Sequence, residues 1–323
     1  MKRRDLLAAA VLSFGLFTGA GASAQGFPSK PIRIVVPAPP GSAPDVIARL
    51  LGDQYRQRLG QPVLVENRPG AGGIVAVNAA RGAEADGHTL LLAQAAVVTV
   101  TPHTYKEAKY DMERDFDAVS AVASTPMLFV ANPANGPKSW TDALAQAKAR
   151  PEQLSVGNPT RTSIPHLAAE LVSLRTGVRF QHVSMSNTSQ GIQAVVNGDT
   201  LMYVDGVAPL IPMVKAGRVR ALAVAADREL PGLEGIPLAK DAVPDFNVSG
   251  WFVLFAPKGT PRPVLDKLNE ATHAGINSPE MVAKMRELGN YPMGGGLADA
   301  QAFVKREKAA WADVIERTGV KPE

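Results

Sequence analysis

The segment from Pro31 to Leu51, PIRIVVPAPPGSAPDVIARLL, predicts a strand, a turn and the start of a helix. Its β-branched run IRIVV is typical of a buried strand, and the residues that follow, up to Pro44, have the composition of a turn. Apolar residues then recur at helical spacing, with Ser42 or Asp45 as the N-cap. Because free N–H groups and the positive end of the helix dipole would converge beyond the strand, the arrangement suits an anion. The alternative is an ordinary strand–helix connection.

A second segment, LSVGNPTRTSIPHLAAELV, repeats this arrangement near the middle of the chain. A strand at Leu154–Val156 leads into a polar loop, Gly157–Ser163, and a helix begins near Pro165, because proline favours the first turn of a helix. The repetition predicts a second anion-type site in a second domain. Within this loop, Arg161 is either a solvated surface residue or, in a cleft, a bidentate partner for a carboxylate.

Strands and helices alternate through most of the chain, which predicts parallel α/β sheets with helices on both faces. Ligands of such sheets bind beyond the carboxyl ends of the strands. The strand HTLLLAQ places Gln94 and Ala95 at such an end, and Asp205 ends another strand as either a helix cap or a pocket acid. A further strand is expected at Met127–Pro133, after a charged turn at Asp111–Asp117.

The N-terminal residues predict a secretory signal over residues 1–24. Three basic residues precede an apolar run, which ends at the small-residue cleavage site Ala22-Ser23-Ala24. General secretion fits better than the twin-arginine route, because only Arg3-Arg4 of that motif is convincing. The apolar run is too short to span a membrane comfortably.

Composition excludes several classes of function. The chain has no Cys, so disulfides, thiolate chemistry and Cys-ligated zinc are excluded. A formal net charge of +4 and scattered aromatic residues argue against nucleic-acid binding. No Walker loop, nucleophile elbow or His-Glu-x-x-His motif is present, and we expect no cofactor and no metal site. His166 and His182 could meet in space, but each is expected to be a hydrogen-bonded structural residue.

Several segments together resemble the Bug family, the periplasmic solute receptors of tripartite tricarboxylate transporters. They are the opening PSKPIRIVVPAPPGSAPDVIARLL, then GQPVLVENRPGAGG, ADGHTLLLAQ, HLAAELV, KAGRVRALAVAADR and WFVLFAPKGTPRPVLDKLN. The resemblance covers nearly the whole mature chain. It implies a type II periplasmic-binding-protein fold, in which two α/β lobes joined by a hinge close on a ligand. It also implies that backbone N–H groups of the two loops hold a ligand carboxylate, partly through water.

This sequence departs from the family pattern in its expected pocket. Ala38 replaces an aromatic residue, Gly41-Ser42 replaces a glycine pair, and Met185 lies where the family has Tyr. Ala38 is smaller than an aromatic side chain and Met185 is pliable and apolar, and these two residues favour a bulkier ligand, such as an aromatic carboxylate. The residues expected to bind the ligand are Ala38, Pro39, Gly41, Ser42, Asp45, Gln94, Ala95, Asn158, Thr160, Arg161, Thr162, Ser163, Met185, Asn187 and Asp205.

The sequence therefore predicts a non-catalytic, monomeric periplasmic receptor that delivers an organic carboxylate to membrane subunits of a tripartite transporter. Lobe 1 is expected to comprise residues 25–126 and 249–323, and lobe 2 residues 127–248. One alternative is a secreted hydrolase or lyase that uses Asp205 and a His. Another is a solute sensor that signals through a membrane kinase.

Overall fold

The computed structural model of the protein describes residues 26–318, so the predicted signal sequence lies outside the described residues. The strands are β1 (Ile32–Val36), β2 (Val63–Asn67), β3 (Thr89–Gln94), β4 (Phe116–Ala131), β5 (Ser155–Asn158), β6 (Gln181–Ser184), β7 (Met202–Gly206), β8 (Arg220–Val224), β9 (Ser249–Pro257) and β10 (Tyr291–Gly294). The helices are α1 (Ala43–Leu59), α2 (Ile74–Arg81), α3 (Ala95–Thr99), α4 (Thr101–Thr104), α5 (Met112–Asp115), α6 (Trp140–Ala149), α7 (Ile164–Thr176), α8 (Thr188–Asn197), α9 (Val207–Lys215), α10 (Arg262–Ile276), α11 (Pro279–Glu287) and α12 (Leu297–Thr318).

These strands form a ten-stranded sheet whose main path runs β2-β1-β3-β9-β4-β7-β5-β6, with β8 and β10 also paired to β4. The pairs around β1 and around β5 are parallel, while β4 pairs antiparallel with each of its neighbours. Parallel strands linked by helices at both ends of the sheet confirm the predicted α/β class, and the two ends correspond to two lobes.

The long strand β4 runs through both lobes. Its residues from Phe116 to Pro126 pair with β9, and its residues from Met127 onward pair with β7 and β8. The expected turn over residues 111–117 and the strand start at Met127 were therefore wrong, because the strand already begins at Phe116. Alternation of small residues over 116–126 gives this first half a weak hydrophobic signal, although its side chains are mostly buried.

The opening segment forms a strand that is buried on both faces, as its β-branched run predicts. On one face, Ile32, Ile34 and Val36 pack in the same core cluster as Ile47 and Leu51 of α1. On the other face, Val35 belongs to a second core cluster with residues of α2. Burying this strand between helices fixes the position at which the following loop leaves the sheet.

The C-terminal helix α12 contacts both lobes. It packs on β4 and α3, and it also contacts α7, which lies within residues 127–248. The lobe boundaries expected at residues 126 and 249 remain predictions. None of the helices described between residues 26 and 318 has the length and apolar character needed to cross a membrane.

Candidate functional site

A cleft of about 670 Å³ lies between the two lobes. It is lined by residues of both: Pro37, Pro39, Pro44, Pro69, Gly70, Gly72, Gly73, Gln94, Ala95, Ala96, Val97, Val100, Thr101, Thr104, Tyr105, Thr125, Met127, Thr160, Arg161, Thr162, Ser163, Ile164, Pro165, Asp205, Gly206, Gly250, Trp251 and Phe252. Its volume is within the roughly 300–1,000 Å³ range of small-molecule sites. The cleft is therefore the candidate binding site.

The first loop, residues 37–42, connects β1 to α1 and reverses the chain tightly. The Ser42 hydroxyl donates to the Pro39 carbonyl at 2.6 Å, and the Ser42 N–H donates to the same oxygen at 3.3 Å. Gly41 has φ of +79°, which a glycine adopts at little cost. Pro44, at the second helical position, has no backbone N–H. Ala43 and Asp45 therefore carry the first N–H groups of α1.

A buried carboxylate holds this loop against its helix. Oδ2 of Asp45 accepts from the Gly41 N–H at 2.9 Å and from Arg49 Nε at 3.1 Å. Arg49 also donates to Asn67, at the end of β2, at 3.3 Å. Burial alone would raise the pKa of the Asp45 carboxyl, but the hydrogen bonds from Arg49 and Gly41 outweigh it and lower the pKa. The ionised side chain therefore supports the loop from behind.

The second loop, residues 159–163, connects β5 to α7 with the same hydrogen bonds. The Ser163 hydroxyl donates to the Thr160 carbonyl at 2.7 Å, and the Ser163 N–H donates to it at 3.4 Å. Thr162 takes the left-handed position with φ of +62°, which is costly for a β-branched residue. Its N–H donates to Nδ1 of His166 at 3.3 Å, so an imidazole occupies the place that a carboxylate has in the first loop.

His166 and His182 meet, as the sequence allowed. Their ring centroids lie 5.4 Å apart, and Oε1 of Glu170 lies 3.6 Å and 3.4 Å from their respective Nε2 atoms. Burial, with the nearby His182 and Arg161, lowers the pKa of His166 to about 4. Burial also lowers the pKa of His182, against the opposing effect of Glu170. Both imidazoles are consequently neutral at pH 7.

Arg161 lines the cleft and is exposed. No acidic side chain within residues 26–318 forms an ion pair with it, so the pairing with Asp205 considered from the sequence is not formed. Instead, Asp205 accepts from the Thr188 hydroxyl, the Tyr203 hydroxyl and the Gly206 N–H, each within 2.8–2.9 Å. Burial raises the pKa of the Asp205 carboxyl, against these hydrogen bonds. Asp205 precedes the N-cap of α9 and lines the cleft, which favours the pocket acid over the cap.

The structure brings eight of the fifteen expected residues into the cleft lining: Pro39, Gln94, Ala95, Thr160, Arg161, Thr162, Ser163 and Asp205. Gly41, Ser42 and Asp45 build the first loop, and the carbonyl of the neighbouring Ala38 accepts from Asn67. Whether any of these residues contacts a ligand remains a prediction.

The remaining expected residues lie next to the second loop. Asn158 is fully buried, and its amide has no hydrogen-bond partner among the described residues. The N–H of Met185 donates to the Asn158 carbonyl, and Asn187 caps α8 by accepting from Gln190. Met185 and Asn187 are not among the cleft-lining residues, and neither is Ala38. The two positions that favoured a bulky ligand, Ala38 and Met185, therefore do not widen this cleft.

The glycine-rich turn over residues 70–73 lines the cleft through Gly70, Gly72 and Gly73, although none of them was among the residues expected to bind the ligand. Gly73 has φ of +97°, and a Cβ there would lie 2.6 Å from the Val97 side chain. Gly72 has φ of +59°, and its Cβ would lie 2.8 Å from the ring of Tyr105. The turn follows the parallel strand β2, and ligands of such sheets bind beyond the carboxyl ends of the strands. This position was the signal in the sequence that could have placed the turn at the ligand site.

Two α/β lobes with a shared cleft, lined by loops that start helices in each lobe, define a solute-binding protein of the periplasmic type. The chain belongs to the tripartite tricarboxylate transporter receptor family, whose model matches residues 47–320. This confirms the resemblance to the Bug family. The chain is 31% identical over 301 residues to Protein BugT of Bordetella pertussis, covering 93% of this chain and 92% of that protein.

Solved structures of related proteins have the same fold. R. palustris Rpa4515 with adipate matches with a TM-score of 0.77 at 29% identity, covering 92% of this chain and 100% of that one. MatC (Rpa3494) from Rhodopseudomonas palustris with bound malate matches with a TM-score of 0.71 at 28% identity, covering 90% and 100%. Both similarities extend across the two lobes.

Proposed function

We propose that this protein captures an organic carboxylate in the cleft and delivers it to the membrane subunits of a tripartite transporter. The observation that carries the proposal is that two loops of the same construction, one from each lobe, face one cleft. Membership of the transporter receptor family supports delivery to a transporter. The carboxylates named with two structural relatives, adipate and malate, support the ligand class.

The two helix starts supply the anion site. Ser42 and Ser163 use their own N–H groups within the loops, so the next ones, on Ala43 and Ile164, remain for a ligand. The positive ends of the α1 and α7 dipoles add to these donors. A carboxylate between the lobes would then accept from both loops, either directly or through water.

Arg161 supplies the charge for recognition in this proposal. Its planar guanidinium can hold a carboxylate with two parallel hydrogen bonds, and no acidic group within the described chain competes for it through an ion pair. Elsewhere the lining is largely apolar and includes Val97, Val100 and Phe252. We therefore favour a ligand with a carboxylate at one end and an apolar body, such as an aromatic acid.

Ligand capture is expected to close the lobes. We assign residues 25–126 and 249–323 to lobe 1 and residues 127–248 to lobe 2, because β4 changes its pairing partners at Pro126–Met127. The chain crosses back where Pro126 pairs with Ser249. A ligand held by both loops binds the closed state more tightly and so shifts the population toward it.

The catalytic alternative finds less support. A hydrolase or lyase using Asp205 needs a His beside it, but the three hydrogen-bond donors to this carboxylate are Thr188, Tyr203 and Gly206. We accordingly propose a non-catalytic receptor. We also propose that it is a monomer and that residues 1–24 direct its export to the periplasm.

A thermal-shift assay on the untagged mature chain tests this function. The ligands are a panel of aliphatic and aromatic mono- and dicarboxylates. At least one carboxylate should raise the Tm, because binding to the folded state stabilises it by mass action. Calorimetry should then show that Arg161→Ala weakens this ligand at least tenfold, about 1.4 kcal/mol, and that Arg161→Lys weakens it less. The exposed Arg218 offers a matched control, and Arg218→Ala should bind like wild type. A panel without any Tm shift would exclude the proposal.

A further inference from the structure

We propose that His166, Glu170 and His182 form a binding site for a divalent transition-metal ion of the Zn²⁺ type, behind the second loop and outside the cleft lining. One potential ligand atom from each residue lies within 4.8 Å of the others. His166 and Glu170 lie four residues apart on one face of α7, and His182 comes from the edge strand β6. This inference departs from the expectation that both imidazoles are structural only.

The separations suit metal ligands better than hydrogen-bonded partners. Glu170 Oε1 lies 3.6 Å from His166 Nε2 and 3.4 Å from His182 Nε2. A good hydrogen bond between such groups would be about 2.7–3.2 Å long. Neighbouring ligands of a tetrahedral zinc ion, with bonds of about 2.0–2.1 Å, lie about 3.3 Å apart. The two measured distances are close to that tetrahedral spacing.

In the first loop, a side-chain cation lies four residues after the side chain that supports the loop, at the position that Glu170 has in the second. There the guanidinium of Arg49, four residues after Asp45, joins that carboxylate to Asn67 at the end of β2. In the second loop the residue four positions after His166 is Glu170, an acceptor, and among the described residues no side-chain cation joins α7 to β6 there. A metal ion among the three side chains would supply the missing positive charge.

Access to solvent and the kind of ligand atoms both favour a metal of the zinc type. The side chains of Glu170 and His182 are 25% and 19% exposed, which leaves a route for an ion and for a water ligand. Two imidazoles and one carboxylate suit zinc-type ions and not Mg²⁺ or Ca²⁺, which prefer oxygen ligands.

Metal binding would also act on the second loop. A metal on Nε2 of His166 requires the proton to reside on Nδ1, but Nδ1 now accepts from the Thr162 N–H. The ion and this hydrogen bond are therefore mutually exclusive. Zinc should release Thr162, whose left-handed backbone is strained for a β-branched residue.

Zinc titration of the untagged mature chain against a chromophoric chelator tests the site without any carboxylate ligand. We expect one tight equivalent of Zn²⁺ per chain, unaffected by excess Mg²⁺ or Ca²⁺. His182→Ala and Glu170→Gln should each weaken it at least tenfold, whereas His103→Ala, which removes an exposed imidazole elsewhere, should not. Unfolding curves of all variants would separate loss of ligands from loss of fold, and Glu170→Gln conserves shape if His182→Ala is unstable.

Two spectroscopic measurements complete the test. X-ray absorption should show nitrogen and oxygen ligands at about 2.0–2.1 Å, and ¹⁵N spectra should show that zinc moves the His166 proton to Nδ1. Absence of a tight equivalent, or equal affinity in wild type, His182→Ala and Glu170→Gln, would overturn the site. In that case the three residues would form only a hydrogen-bonded support for the loop.

Discussion

The two cleft loops have nearly the same backbone and different side chains. In each, a serine N-cap donates twice to the carbonyl three residues earlier, and the preceding left-handed residue donates its N–H to the third residue of the helix. The first loop has Gly41 and Asp45 at those two positions, and the second has Thr162 and His166. In both helices proline occupies the second position, so the first residue, Ala43 or Ile164, carries the first backbone N–H.

The difference in side chains indicates that the loops use separate groups for ligand binding and for their own support. In the proposed binding mode the backbone N–H groups offered to an anion are the same in both loops, so the side chains that support the loops can differ. Asp45 supports its loop as a charged, ion-paired group, whereas His166 supports the other as a neutral imidazole. The two loops should therefore respond differently to mutation, to pH and to backbone strain.

Removing the buried carboxylate of the first loop should have the largest effect on stability. Asp45→Ala leaves the Gly41 N–H and Arg49 without their acceptor. Because Arg49 is half-exposed and water can solvate it, we expect a loss of about 2–3 kcal/mol and not the full cost of a buried charge. Asp53→Ala, which breaks an exposed pair with Arg56 on the same helix, should cost less than about 0.5 kcal/mol. Equal effects in urea unfolding would contradict the assigned role.

The second loop should be the acid-sensitive one. The His166 pKa is about 4 in the folded chain and about 6.5 when unfolded, so between these values the unfolded state binds more protons. The free energy of unfolding should thus fall by roughly 2–3 kcal/mol as the pH drops from 6.5 to 4. Asp45, with its lowered pKa, contributes fully above about pH 4 and loses its contribution only as the pH falls further.

Urea unfolding at several pH values measures this dependence. His166→Gln should flatten the slope between pH 6.5 and 4, and His103→Ala, at an exposed position, should leave it unchanged. A wild-type slope in His166→Gln would assign the acid sensitivity to another group.

The left-handed positions should give the smallest effects, with opposite signs. Thr162→Gly relieves a β-branched side chain at φ of +62° and should stabilise the chain by about 1 kcal/mol. Gly41→Ala at φ of +79° should destabilise by about 1 kcal/mol, although its Cβ would meet nothing within 4 Å. Two effects of the same sign in thermal unfolding would show that the two loops do not share their backbone conformation.

Sequence patterns predicted the architecture well where the signal was local and apolar. The run IRIVV, the turn of Pro, Gly and Ser, and the helical spacing after Asp45 together predicted β1, the first loop and α1. The start of β4 was missed because Ala and Ser over residues 116–126 resemble no buried strand until β9 is placed beside them. Strand pairing over such sequence distances is decided by the rest of the fold.

The equivalence of the loops was harder to predict. The sequence does not predict a left-handed backbone at Thr162, because threonine disfavours positive φ. The approach of His182 to His166 depends on how β6 pairs with β5, where His182 lies opposite Val156. Gly70–Gly73 reaches the cleft because β1 and β2 are parallel and end together.

In the proposed binding mode, both loops hold one carboxylate through backbone N–H groups. A ¹⁵N–¹H correlation titration with the carboxylate that raises the Tm most tests it directly. We expect the amides of Ala43 and Ile164 to shift together and give one Kd, while that of Val264 on α10, outside the cleft lining, stays in place. Shifts in one loop alone, or in neither, would contradict it.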